Sequence, residues 1–165
     1  TQNLKHLQLV CHNSLVLDNT SSKFLSDLAE KMGNMTGFPV PTPWKDDDSK
    51  SLQKLFVDIP NLEKFIYAIY SPIFTDQVLE KFISNTLPSL RKLNQFELII
   101  PNTAVTNLSI IKLLDNLPEE WFDQINLLQL DLRGTKVTEE GLKEFIEKTL
   151  PKFKALNDFQ IVTTG

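Results

Sequence analysis

The sequence predicts an α/β fold: a curved stack of strand–helix units, with a parallel sheet on the concave side and helices on the convex side. Three observations lead there. Short runs such as LLQLDL at 127–132 alternate apolar and polar residues, the pattern of a strand with one buried face. Each run is followed by a stretch with helical periodicity, such as TEEGLKEFIEKTLP at 138–151. The pair then recurs along the 165-residue chain at a nearly constant period.

In chain order, LKHLQLVCH supplies the first strand through Leu4, Leu7 and Leu9. A weaker copy, MTGFPVPTP, supplies Met35, Phe38 and Val40, with SLQKLFVDIP as its helical half. The third unit places Tyr67, Ile69, Phe74 and Thr75 on the template, and the fourth Leu98, Ile100, Thr103, Val105 and Thr106. The fifth has Leu130, Leu132, Thr135, Val137 and Thr138, and LNDFQIVTT opens a sixth with Leu156, Phe159, Ile161 and Thr164. Aligning Leu9, Val40, Ile69, Ile100, Leu132 and Ile161 gives spacings of 31, 29, 31, 32 and 29 residues. Within a unit, Thr138 is placed to cap a helix, and Glu139 and Glu140 complement its dipole. Leu142, Phe145 and Ile146 lie on one helix face. The Ile-Pro or Leu-Pro pairs beginning at 59, 87, 117 and 150 are expected to stop each helix, because the residue before proline is pushed out of the α region.

One strand and one helix of this size bury too little apolar surface to be stable alone, so the units must stack. Helices are wider than strands, which bends the stack with its strands inside. A doubly wound α/β domain also alternates strands and helices, but it leaves the constant period unexplained.

Composition sets the outer bounds. Hydrophobic residues make up 41% and charged residues 23% of the chain, values that suit a globular domain with a real core. A net charge of -4 and a pI near 5.2 disfavour a nucleic-acid partner or an anionic lipid surface. No apolar run reaches the roughly 18 residues that span a bilayer. A single cysteine, Cys11, excludes an internal disulfide and suits a reducing compartment, so the expected location is cytoplasmic. The sequons at Asn19, Asn34 and Asn107 are about as many as chance gives in an Asn-rich chain.

The string LQLDLRGTKVTEEGL resembles the leucine-rich repeat, in the long, helix-containing form of ribonuclease inhibitor. The resemblance covers essentially the whole chain, strongly in three units and weakly around 35–60. It implies a leucine-rich-repeat solenoid, a horseshoe segment of about six repeats forming one domain over 1–165, read as a slice of a longer array. It also implies protein–protein recognition through the concave face, with no cofactor and no enzymatic activity. Two settings fit: a ligand-sensing or regulatory array like that of nucleotide-binding immune receptors, or a recruiting scaffold like that of F-box ubiquitin-ligase receptors. A structural subunit held within a larger assembly is the alternative. The chain departs from the family pattern at the position where Asn or Cys usually forms a ladder. His12, Pro43, Pro72, Thr103, Thr135 and Thr164 stand there instead.

If the apolar strand positions point into the core, the residues between them face the partner. The expected contact set is Pro39, Pro41, Ile66, Ala68, Tyr70, Glu97, Ile99, Pro101, Gln129, Asp131 and Arg133. Its centre is apolar and its rim polar, the anatomy of an interaction surface. Residues 33–50 are irregular and could equally fold over that patch. Other chemistry is poorly supported. His6, Cys11 and His12 lack metal-ligand spacing. Asp46, Asp47 and Asp48 lack the calcium-loop pattern and read as an acidic helix start. No phosphate loop or nucleophile elbow is present. Trp44 reads as a packed loop anchor.

Overall fold

Alternating apolar residues become strands because a strand turns successive side chains to opposite faces. In this computed structural model, which describes residues 5–12, 39–43, 62–72 and 74–163, they form one parallel sheet. Its strands are β1 (His6–His12), β2 (Pro39–Pro43), β3 (Lys64–Tyr70), β4 (Gln95–Ile99), β5 (Leu127–Asp131) and β6 (Asp158–Val162). Helices α1 (Asp76–Asn85), α2 (Asn107–Asp115), α3 (Trp121–Gln124) and α4 (Glu139–Glu144) fall in the connections after β3, β4 and β5. Met35, Phe38, Trp44, Asp46, Asp47, Asp48, the Ile59-Pro60 pair and the sequons at Asn19 and Asn34 lie outside the described residues, as does most of the 33–50 segment.

The strand order is β2-β1-β3-β4-β5-β6. Units stack in chain order from β3 to β6, but β1 pairs directly with β3, and β2 lies on the far side of β1. This corrects the expected run of six copies in sequence. The reason lies in PVPTP. Pro39, Pro41 and Pro43 have no N–H, and alternate residues of a strand address the same side. Val40 and Thr42 are the donors left to pair with β1, so the proline side is confined to an edge. HLQLVCH has no such defect and pairs with β3 along all seven residues.

The register is also corrected at both ends. Ile69, Ile100 and Leu132 are equivalent, as expected, but Leu9 pairs with Tyr67 and Ile161 with Leu130. The outer strands are therefore shifted by two residues from the sequence alignment. A two-residue shift leaves every side chain on the same face, so the inward and outward sets survive.

Phe65, Tyr67, Ile69, Phe96, Leu98, Ile100, Leu128, Leu130 and Leu132 are buried on one face, in a single core with residues of α1, α2, α3 and α4. Aromatic rings join the layers: Tyr67 lies 5.1 Å from Phe82 and Phe96 5.1 Å from Trp121, centroid to centroid. The Trp121 indole, fully enclosed, donates to the Leu90 carbonyl at 2.6 Å. α1, α2 and α4 pack side by side on this face.

Backbone ladders repeat with the units. The carbonyl just before one strand accepts two N–H groups from the next unit. Lys5 receives Glu63 and Lys64, Glu63 receives Asn94 and Gln95, Asn94 receives Asn126 and Leu127, and Asn126 receives Asn157 and Asp158. After β4 and β5 the chain turns through Asn102 (φ 59°) and Gly134 (φ 69°), a left-handed conformation that Gly and Asn tolerate best. A threonine follows each turn and satisfies it locally. Thr103 Oγ1 donates to the Ile100 carbonyl at 3.0 Å, and Thr135 Oγ1 to the Leu132 carbonyl at 2.6 Å.

Helix starts are tied across units. Thr75, Thr106 and Thr138 all occupy the N-cap in extended conformation. The Asp76 carboxylate accepts from the Thr106 N–H (2.8 Å), the Thr106 hydroxyl (2.6 Å) and the Ser109 hydroxyl (2.5 Å). Burial pushes this carboxyl up, but the bonds from Ser109 and Thr106 outweigh it and hold it below its ordinary 3.8. One unit on, Asn107 Oδ1 accepts from the Thr138 N–H and its amide donates to the Thr138 hydroxyl, both at 2.8 Å. Thr138 therefore sits at the cap position but does not cap its own helix through its side chain. Gly141 lies against Asn107, and a β-carbon there would collide with the Asn107 amide.

Leu-Pro pairs do more than end helices. After α1, Leu87–Ser89 forms one 3-10 turn with proline in its first turn. After α2, the Pro118 carbonyl accepts from Trp121 and opens α3. α4 widens into a π turn over Phe145–Thr149 and tightens into a 3-10 turn at Leu150–Lys152.

Candidate recognition surface

The described helices contribute their buried residues to the core on one face of the sheet, which leaves the opposite face to the alternate residues of each strand. Register places these residues in rows. One row reads Pro39, Gln8, Ile66, Glu97, Gln129 and Gln160 across β2 to β6. The next reads Pro41, Val10, Ala68, Ile99, Asp131 and Val162. Tyr70 closes β3, and Pro101 and Arg133 stand beyond the ends of β4 and β5.

The predicted contact residues of β3, β4 and β5 therefore share one face, as alternation requires. Pro39 and Pro41 belong to the same sheet, but they do not adjoin Ile66 and Ala68. Gln8 and Val10 of β1 intervene, because the prolines hold β2 at the edge. Side chains are described for 5–8 of the first strand and from Leu62 onward, so those of Cys11, His12, Pro39 and Pro41 lie outside the described set.

Exposure narrows the surface further. Ala68 is 2% exposed and Asp131 6%, and Pro101 is buried too. These three form its floor. Ile66, Glu97, Ile99 and Gln129 are half-buried, while Tyr70, at 44%, and Arg133 stand out into solvent. A partner pressed against this face would meet Tyr70 and Arg133 first and then the Ile66–Glu97–Gln129 row.

Arg133 is anchored where it stands. Its Nε donates to Asp131 Oδ1 at 2.9 Å, its Nη2 to Oδ2 at 2.7 Å, and its backbone N–H to Oδ1 at 3.3 Å. The Arg133 hydrogen bonds hold the Asp131 carboxyl below its usual value against the opposing effect of burial. In return the Asp131 carboxylate favours the charged guanidinium. A fork-to-fork pair of this kind orients a guanidinium and leaves its outer edge for a second acceptor. The surface thus offers an aromatic ring and a fixed cation beside the half-buried row of Ile66, Glu97 and Gln129.

Among the described residues no group of three or more His, Cys, Asp or Glu side chains gathers as a metal site would require. No described helix is long and apolar enough to cross a membrane. The third sequon is occupied structurally: Asn107 holds Thr138, and Ser109, fully buried, holds Asp76.

Comparison with family models, with curated proteins and with solved structures returned no match to this chain.

Proposed function

We propose that this chain is a leucine-rich-repeat-type recognition module whose open sheet face binds a protein or peptide partner, as the sensing or regulatory array of a larger receptor. The observation that carries the reading is the pairing of Tyr70 and Arg133. An exposed aromatic ring and an arginine oriented by a buried carboxylate stand over half-buried Ile66 and Ile99. Tyr and Arg are the residue types that dominate binding energy at interfaces, because each combines apolar area with directed polar contacts. The repeat architecture is supported by the 31- and 32-residue spacing of equivalent turns, N-caps and backbone ladders between β3 and β6. The half-buried Gln129 amide and Glu97 carboxylate and the exposed Gln160 amide add hydrogen-bonding capacity suited to peptide groups rather than to a small apolar ligand.

A comparative pull-down tests this. Wild-type chain, a Tyr70→Asp/Ile99→Asp variant and a Leu108→Asp variant are presented to the same extract, and retained proteins are identified by mass spectrometry. Leu108 is exposed on α2, away from the sheet. Expected is a partner kept by wild type and Leu108→Asp and lost by the double variant at a similar Tm. A partner retained by the double variant at unchanged Tm would refute the reading.

A further inference from the structure

Among the described acidic residues, Glu63, Asp76, Glu80, Glu97 and Asp131 are buried or half-buried. A carboxylate drawn out of water needs a cation or hydrogen-bond donors to offset its lost hydration. All but one of these have them. Asp76 accepts from Thr106 and Ser109, Asp131 is held by Arg133, Glu63 pairs with Lys5 at 3.4 Å, and Glu80 pairs with Lys112 at 3.9 Å. The Glu97 carboxylate has neither a hydrogen bond nor an ion pair among the described residues. It lies on the sheet face opposite the core, between Ile66 and Gln129 in register, with Ile99 next to it on the same face of β4. Lys64 faces the same way, one register step back on β3, but makes no ion pair with it. Arg133 is committed to Asp131. The Gln129 amide beside Glu97 is likewise without a hydrogen bond among the described residues.

We infer that Glu97 is the subsite for a basic side chain of the partner, arginine in preference to lysine, at the centre of the recognition surface. The inference rests on reading that face as a binding surface, and it adds the charge that the occupant must bring. A guanidinium is planar and weakly hydrated, so it can lie along the aliphatic Ile66 and Ile99 side chains while its donors meet acceptors. Its fork matches the two Glu97 carboxylate oxygens. Its other edge faces the Gln129 carbonyl on the neighbouring strand, about 4.8 Å across the sheet. Lysine brings only a compact, strongly hydrated charge. Charge balance points the same way. Asp131 and Arg133 neutralise each other, which leaves Glu97 as the uncompensated charge of the rows that contain Ile66 and Ala68. A partner with a cation there restores neutrality on binding. An acidic or wholly apolar partner would bury the carboxylate unpaired and is selected against.

The test selects random peptides displayed on phage against the full 165-residue chain. Retained peptides are resynthesised with fluorescein and titrated by anisotropy. Those whose binding is lost with Tyr70→Asp/Ile99→Asp are expected to share an arginine, and its replacement by neutral citrulline should weaken them. Glu97→Gln should weaken the same peptides by about tenfold or more, the loss of a charge-assisted pair. Selection on Glu97→Lys should replace the shared arginine by aspartate or glutamate. The Tm of Glu97→Gln is expected to stay level or rise, because the carboxylate has no partner within the described residues. Peptides that need Tyr70 and Ile99 but share no basic residue, or bind Glu97→Gln as well as wild type, would overturn the proposal and leave the binding face standing. A selection that yields no peptide dependent on Tyr70 and Ile99 would overturn both. A fall in Tm for Glu97→Gln would overturn the proposal by showing that the chain supplies its own partner for Glu97. A dimer of the chain alone that Glu97→Gln dissociates in sedimentation would overturn it too, because a second copy would then supply the cation.

Discussion

The two faces of this sheet are made from alternate residues of the same strands, yet they follow different rules. On the core face Phe65, Tyr67, Phe96, Leu98, Leu128 and Leu130 are wholly enclosed and held by shape. On the open face Ile66, Glu97, Ile99 and Gln129 mix apolar, charged and amide groups, and no common shape is imposed on them. The core face therefore answers for stability, and the opposite face is the one proposed for recognition. The difference rests on strand periodicity alone, because no residue separates the two sets by more than one position.

Breaking the core face should give the largest effect. Phe96→Ala removes a ring packed against Trp121 and is expected to cost about 3–5 kcal/mol, read as a lowered denaturation midpoint. Breaking the tie between helix starts comes next. Asp76→Ala strands the Thr106 and Ser109 donors and should cost about 2–3 kcal/mol. The same carboxyl gives a pH signature. Its folded pKa lies below the unfolded one, so its contribution is complete above about pH 5 and is lost as pH falls through about 4 and below. Asp131, shifted in the same direction, adds to that acid loss. Asp76→Ala should flatten the acid limb of the stability curve, and an unchanged limb would mean that other groups control it.

A smaller effect is expected at Gly141. Alanine there improves helix propensity but collides with the Asn107 amide, so Gly141→Ala should destabilise by about 1 kcal/mol. In an Asn107→Ala background the same change should become neutral or stabilising, and a double-mutant cycle measures the reversal. Least of all, Tyr70→Ala on the open face should move stability by no more than about 0.5 kcal/mol. A large drop there would show that the open face is a second core and would end the distinction between the two faces.

Much of this was legible in the sequence. Period-two alternation separated the core-facing residues of β3 to β6 from their neighbours, even where the alignment of Ile161 was two residues out, since an even slip preserves facing. The N-cap position of Thr138 followed from local chemistry, although its side chain does not cap its own helix. Strand order was less accessible, because hydrophobic pattern says which face is buried and not which strand is the neighbour. One signal was nonetheless present: three prolines at alternate positions of PVPTP mark an edge strand. The pair of Asp76 with Thr106, and of Asn107 with Thr138, joins residues about one repeat apart and shows only when the units are laid side by side. The burial of Ala68, Pro101 and Asp131 depends on what surrounds each side chain, which alternation does not encode.

Site-specific photo-crosslinking tests the functional claim most directly. A benzophenone side chain placed at Tyr70, on the open face, is compared with one at Leu108, on the helical side, in the same extract. Recognition through the open face predicts a discrete adduct from position 70, competed by unlabelled chain and absent from position 108. An adduct to the same protein from position 108 and none from position 70 would contradict it.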